Sequence, residues 1–133
     1  MSGRAFLDTN VLVYAVVEND PRTGRARDLL AAGGTISVQM LNEFVSVARR
    51  KLGMSWEEVN EAVEAILVLC PSPEPITLAT HQVARKIAEE CEFNIYDALV
   101  AAAAIQTGCA TLYSEDFQDG QVIEGKVTVR NPF

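Results

Sequence analysis

The sequence predicts a three-layer α/β domain, with a small, mostly parallel, twisted sheet of about four to five strands flanked by helices. Three observations carry this. Short apolar or β-branched runs alternate along the chain with longer segments of helical periodicity, the pattern of right-handed crossovers onto a parallel sheet. The first run, Ala5 to Leu7, stops at Asp8-Thr9-Asn10, and apolar residues resume at Val11. The 133 residues are 49% apolar and 22% charged, enough for one sizeable core at the commonest domain length. With no repeat, low-complexity segment or linker, residues 1–133 read as a single domain.

The elements follow in order. Ala5 to Leu7 is a buried strand ending at Asp8, and a helix opens at Thr9 or Asn10. Asp20-Pro21 reads as an N-cap with proline at the first helical position, so a helix runs from Pro21 to Ala32 and stops at Gly33-Gly34. Thr35 to Val38 is a second strand. Ser37 caps a helix whose stripe is Leu41, Phe44, Val45 and Ala48, ending near Lys51-Leu52-Gly53. Ser55 and Glu58 form a capping box, with Met54 and Val59 as its hydrophobic staple, and that helix reaches about Leu69. Pro71, Pro73 and Pro75 enforce an extended break, with Ile76 as a rudimentary third strand. Thr77 opens a helix to Glu90 or Cys91. Asn94 or Ile95 opens the next, through Ala101 to Ala104, and Gly108 ends it. Ala110 to Ser114 is a strand, Phe117 to Gly125 a polar loop, and Lys126 to Arg130 the last strand.

No apolar run approaches the roughly 20 residues of a membrane span, and Met1-Ser2-Gly3-Arg4 lacks the apolar region of a signal peptide. A cytoplasmic location without membrane association is the expectation. Cys70, Cys91 and Cys109 are odd in number with no C-x-x-C spacing, so neither a disulfide framework nor a zinc site is indicated, and they read as small buried apolar residues. The net charge of −7 argues against coating nucleic acid through phosphate contacts alone. It suits an enzyme that reaches phosphate through metal ions, or one with a basic protein partner.

Chemistry is expected at the strand ends. With helices antiparallel to strands, every strand carboxyl end and helix amino end lies along one edge, where open α/β sheets hold ligands. Asp8 and Asp116 follow strands, and Glu43 and Asp97 lie in the first turns of helices, so all four acids share that edge. Ala101 and Ala104, on from Asp97, are small enough to leave a crevice open. Four carboxylates at close range raise one another's pKa unless a cation is present. Mg²⁺ or Mn²⁺ takes oxygen ligands, keeps some waters and accepts substrate phosphate. This is a phosphodiester-hydrolysing set that needs no histidine.

Asp8-Thr9-Asn10, Asn42-Glu43-Phe44, Tyr96-Asp97-Ala98-Leu99-Val100-Ala101-Ala102-Ala103 and Ser114-Glu115-Asp116-Phe117 resemble, in order and spacing, the motifs of the PIN-domain family, and most of all its VapC-type toxin ribonucleases. The resemblance spans essentially the whole chain and implies a metal-dependent endoribonuclease of a type II toxin–antitoxin module. Asp8, Glu43, Asp97 and Asp116 would then hold Mg²⁺ or Mn²⁺ directly or through water and position the attacking water. Thr9, Asn10 and Ser114 would orient those acids. It further implies RNA as substrate, a homodimer, and a cognate antitoxin whose tail enters the acidic cleft. Glu115 and Asp119 compete with Asp116 as the fourth acid.

Each residue has an ordinary explanation by itself. Asp8 is a helix cap, Glu43 a solvated acid, Asp97 a first-turn acid complementing the helix dipole and Asp116 a turn residue. Only their combination carries the reading. Arg49-Arg50-Lys51 and Arg22, Arg25 and Arg27 are candidates to grip phosphate, a solvated helix end being the alternative for the first cluster. Trp56 and Tyr96 are candidate base-stacking residues, with core or dimer packing favoured for Trp56. His81, the only histidine, reads as structural, which disfavours a Ser–His or Cys–His hydrolase. Ala65 to Leu69 reads as core, with an antitoxin or second-subunit face as the alternative.

Three other functions compete. One is an RNA-processing nuclease of the same chemistry without an antitoxin; a small basic-tailed protein encoded immediately upstream favours the toxin. A second is a receiver domain or haloacid-dehalogenase-type phosphatase, which wants a lysine at a later strand end, and none of Lys51, Lys86 and Lys126 is well placed; the phosphatase also wants an acid where Asn10 stands. The third is a catalytically inactive nucleic-acid- or protein-binding module, which retention of all four acids disfavours.

Overall fold

The structure is a computed structural model that describes residues 4–133. Met1 to Gly3, on which the expectation of no signal peptide partly rests, lie outside the described residues. In chain order the elements are β1 (Arg4–Leu7), α1 (Thr9–Val16), α2 (Thr23–Ala31), α3 (Val38–Arg50), α4 (Trp56–Leu69), α5 (Leu78–Cys91), α6 (Ile95–Gln106), β2 (Cys109–Tyr113), β3 (Val122–Ile123) and β4 (Val127–Arg130). The sheet order is β1-β2-β4-β3, with β1, β2 and β4 parallel and β3 antiparallel to β4. This is the three-layer α/β/α arrangement. Among the described residues no helix is long and apolar enough to cross a membrane.

α6 packs on β2 and β4 and carries α5 on its outer side, while α1 packs against α2 and α3, and α4 joins α2 and α3. α6 buries Ala98 and every residue from Val100 to Ala104. A helix apolar on nearly all sides belongs inside, and its small side chains let it lie close to the sheet. Ala101 and Ala104 are fully buried, so they pack rather than leave a crevice open.

Caps at the helix starts match local chemistry. Ser55 accepts from the Glu58 backbone and Glu58 from that of Ser55; Thr77 and Thr80 pair the same way. Asn94 accepts from the Asp97 backbone. At α3, Ser37 sits at the N-cap but makes no side-chain cap bond, and its hydroxyl is buried without a partner among the described residues.

Several elements differ from expectation. Thr35 to Val38 is not a strand of the sheet. Thr35 and Ser37 make isolated parallel bridges to Phe6 and Glu74, and Val38 already begins α3, so only a rudimentary edge forms. The bridge falls at Glu74 rather than Ile76. α2 opens at Thr23 because Asp20 spends its carboxylate on the backbone and side chain of Arg22, a local turn that competes with helix. Inside the expected loop, Val122 and Ile123 form β3, aided by left-handed conformations at Glu124 and Gly125 that suit a tight hairpin.

The apolar run Ala65 to Leu69 divides: Ile66 is buried whereas Val68 and Leu69 are exposed. Trp56 is exposed rather than packed in the core, with the Arg49 guanidinium 4.9 Å above its ring. Cys70 and Cys109 are buried, Cys91 is half-buried, and all three are free. His81 lies exposed on α5.

Gly34 is held by packing. A Cβ there would stand 2.5 Å from Cγ and Cδ1 of Leu7, which is fully buried, so the Leu7 side chain would have to shift. Gly34→Ala is therefore expected to destabilise the fold by about 1–3 kcal/mol, read as a lowered midpoint in urea, while Gly24→Ala, where a Cβ meets nothing within 4 Å, does not.

Candidate active site

Backbone pairing creates the site. Leu7 lies opposite Tyr113 in the parallel β1–β2 ladder, and the Asp8 amide continues it to the Tyr113 carbonyl at 3.1 Å. Asp8 and Ser114 therefore stand side by side just past the strand ends, where α1 begins. Asp8 is 4% exposed. One carboxylate oxygen accepts from the Thr9 amide at 2.7 Å and the other from the Ser114 hydroxyl at 2.7 Å.

Ser114 links Asp8 to the following loop, since its hydroxyl also accepts from the Asp116 amide at 3.0 Å. Asn10, the second residue of α1, donates through Nδ2 to the Asp116 carboxylate at 3.2 Å and to Ser114 at 3.4 Å. Its Oδ1 is buried without a partner among the described residues. Thr9 reaches across to α3, donating to Glu43 at 3.2 Å, with the Met40 sulfur 3.3 Å away. One hydroxyl proton serves one acceptor at a time, and the carboxylate is the stronger.

Asp97 is placed differently. It is half-buried at the start of α6, with Asn94 bonded to both its backbone amide and its carboxylate at 2.9 Å. No direct hydrogen bond joins it to the Asp8 cluster among the described residues. Electrostatics connects them: burial and then the Asp116 charge hold its pKa above the usual carboxylate value. Asp8 feels the same acid. Burial raises its pKa from an ordinary 3.8 to about 7, opposed by the Ser114 and Thr9 hydrogen bonds and reinforced by Asp116 and Glu43.

The contenders for fourth acid are separated by geometry. Glu115 is bound to the Tyr14 hydroxyl and lies 3.6 Å from the Arg22 guanidinium. Asp119 accepts from the Asn131 amide at 2.8 Å. Asp116 is exposed and lines a cleft of ≈ 340 Å³ between α1 and α3, with Asn10, Glu43 and, at its far end, Lys51.

Sequence reasoning passed over several supporting residues. Gln39 donates to Glu43 at 3.2 Å; its i, i+4 spacing is a readable signal. Tyr14, four residues on from Asn10, also lines the cleft. Arg22 stacks over the Tyr14 ring at 3.9 Å and donates to its hydroxyl, so it braces the protein instead of standing free for phosphate. Arg27 is likewise committed, donating to the Ala15 carbonyl. No sequence pattern announces these long-range pairings.

The donor set suits a hard divalent cation: it is all oxygen, and the buried Asp8 carboxylate is short of compensation for its charge. The Asn10 amide oxygen, whose Nδ2 bonds Ser114 and Asp116, is a further acceptor in this network, unpartnered among the described residues. Among the described residues no three His, Cys, Asp or Glu side chains stand close enough to cage a metal unaided, so these acids would reach a cation partly through water and substrate phosphate, as Mg²⁺ sites commonly do.

A carboxyl whose pKa is raised on folding binds its proton better in the native state, so its contribution is complete below about pH 4 and is lost as pH rises through about 7. Without divalent cation, the parent should lose up to roughly 4 kcal/mol relative to Asp8→Asn across that window, measured by urea unfolding. Adding Mg²⁺ or Mn²⁺ at neutral pH should raise the parent's melting temperature and leave Asp8→Asn nearly unmoved; equal shifts would contradict the assignment of Asp8.

Comparison with known proteins agrees with this architecture. The family model described as PIN domain matches residues 5–118. A comparison with curated protein sequences finds no match. Among solved structures, a toxin–antitoxin complex from Klebsiella pneumoniae is similar with a TM-score of 0.72 at 19% identity, over 97% of this chain and 98% of that one. VapBC2 from Rickettsia felis, bound to a DNA fragment from its promoter, is similar with a TM-score of 0.68 at 21% identity, over 96% and 97%. The sarcin–ricin-loop-cleaving toxin VapC20 of Mycobacterium tuberculosis is similar with a TM-score of 0.63 at 23% identity, over 84% and 89%. These likenesses concern the fold. With the family match covering most of its length, the chain belongs to the PIN domain family.

Proposed function

We propose that this protein is a Mg²⁺- or Mn²⁺-dependent endoribonuclease that hydrolyses RNA phosphodiester bonds, the toxin of a toxin–antitoxin pair acting in the cytoplasm as a single-domain homodimer. The observation that carries this is the hydrogen-bonded set Asp8, Ser114, Asn10 and Asp116 at the strand ends, flanked by Glu43 and Asp97. The toxin assignment is supported by the family and by a fold shared with toxin–antitoxin complexes.

Asp8, Asp97, Asp116 and Glu43 would hold the cation, directly or through water. When bound, it supplies charge neutralisation and polarises a phosphoryl oxygen. The chain's own groups do the rest. Asp8 is the fixed point, since Thr9 and Ser114 hold one oxygen each and an ionised carboxylate keeps further lone pairs free. Asn10 steers Asp116, and Thr9 with Gln39 steers Glu43, so two acids on different elements face one cleft. Glu43, Asp97 and Asp116 accept hydrogen bonds from water and orient the nucleophile. Lys51 offers a cation to a neighbouring phosphate.

Incubation with tRNA and rRNA tests this. Cleavage is expected with Mn²⁺ or Mg²⁺ and should vanish with EDTA. Asp8→Asn and Asp97→Asn should each lose about 100-fold or more in rate while circular dichroism and antitoxin binding persist. If both cleave as well as the parent, the site is elsewhere. Asp116→Asn should lose comparably, whereas Glu115→Gln, which leaves Asp116 in the cleft, should stay within about tenfold of the parent.

A further inference from the structure

Glu43 separates two clefts. The one beyond it, of ≈ 490 Å³, is lined by Gln39, Asn42, Glu43, Ser46, Arg50 and Tyr96. Four of these are already paired, Gln39 with Glu43 and the Arg50 Nε with Ser46, which leaves the terminal guanidinium nitrogens of Arg50 without a side-chain partner among the described residues. Asn42 is exposed, and neither its amide nor the Tyr96 hydroxyl makes a side-chain hydrogen bond among the described residues. Tyr96 is 62% exposed yet immediately precedes Asp97. A single exposed aromatic needs no explanation by itself. This one shares a cleft with an unengaged amide and a guanidinium, and that cleft has a wall in common with the acidic centre.

The chain carries −7, and Arg22 and Arg27 are committed internally. Phosphate attraction alone is therefore a weak grip on RNA, and an aromatic face that stacks on bases supplies affinity without charge.

On the ribonuclease reading above, we propose that this cleft is a nucleobase subsite. Tyr96 stacks on an unpaired base adjoining the bond to be cut, the Asn42 amide meets that base's hydrogen-bonding edge, and Arg50 meets the flanking phosphate. A base inside a duplex has no free face to offer, so the substrate is single-stranded or looped RNA at the cut.

Binding is measured by fluorescence anisotropy in the Asp8→Asn background, which blocks cleavage, with a short labelled single-stranded RNA, the same strand in duplex, and an abasic ribose–phosphate strand of equal length. Tyr96→Ala should weaken binding of the single strand about tenfold or more without affecting the abasic strand, and Tyr96→Phe and Tyr96→Trp should bind like Tyr96. Asn42→Ala should weaken the single strand several-fold. In the otherwise native enzyme, Tyr96→Ala should raise KM and leave kcat within about threefold. Unchanged affinity in Tyr96→Ala, or an equal loss on the abasic strand, overturns the subsite while metal-dependent cleavage leaves the nuclease reading standing. Base-dependent binding without any cleavage by the parent sustains the subsite and overturns the nuclease. No binding of any strand overturns both.

Discussion

The register of β1 against β2 is the constraint on which the site depends. Because Leu7 faces Tyr113 and not a neighbour, the first residues beyond the two strands, Asp8 and Ser114, lie beside each other. A slip of one residue would send Ser114 to the opposite face and remove the hydrogen bond to Asp8 that comes from outside α1. The register is held by burial: Phe6, Leu7 and Leu112 are fully enclosed, and any slip would carry them out of their places. Ser114 is tied on its other side to β4, its amide bonding the Arg130 carbonyl at 3.1 Å. Core packing thus sets carboxylate geometry at a distance.

That geometry differs from the helix caps elsewhere in the chain. Ser55, Thr77 and Asn94 each accept from the backbone amide three residues on, which is what an N-cap ordinarily does. Asp8 instead accepts from the very next amide and from a side chain more than a hundred residues away. It is also buried, with Asp116 and Glu43 opposing its charge. A residue needed only to cap α1 would be better left half-exposed. Holding a carboxylate where its charged form is disfavoured makes sense where a cation completes the site.

Much of this was legible because it is local or topological. Capping residues sit beside the helices they start, and an acid after a parallel strand must lie on the ligand-bearing edge. The order of the motifs around Asp8, Glu43, Asp97 and Asp116 identified the family. What escaped was decided by tertiary competition. Thr35 to Val38 has strand composition, but Glu74 and Phe6 each reach it for only one bridge. Arg22, Arg25 and Arg27 read as candidates to grip phosphate, yet Arg22 is drawn down onto Tyr14. Which of Asp116, Glu115 and Asp119 lines the cleft was not readable locally, because three acids within five residues look alike until Tyr14 and Asn131 bond two of them.

α3 then organises what surrounds the acids. Glu43, Val47 and Lys51 lie at i, i+4 and i+8 on its face toward α1, while Glu43, Ser46 and Arg50 lie at i, i+3 and i+7 toward Tyr96. Eight residues of helix span about 12 Å, more than the roughly 8 Å over which charges act at physiological salt. Lys51 and Glu43 form no ion pair among the described residues, and their backbone positions stand farther apart than that screening length. A cation at one end of the cleft can attract a phosphate without neutralising the carboxylates at the other. On the nuclease reading proposed above, one amphipathic helix with an acid in its second turn and cations in and just past its last turn would separate holding a polyanion from acting on it, both tasks falling to the same rigid element.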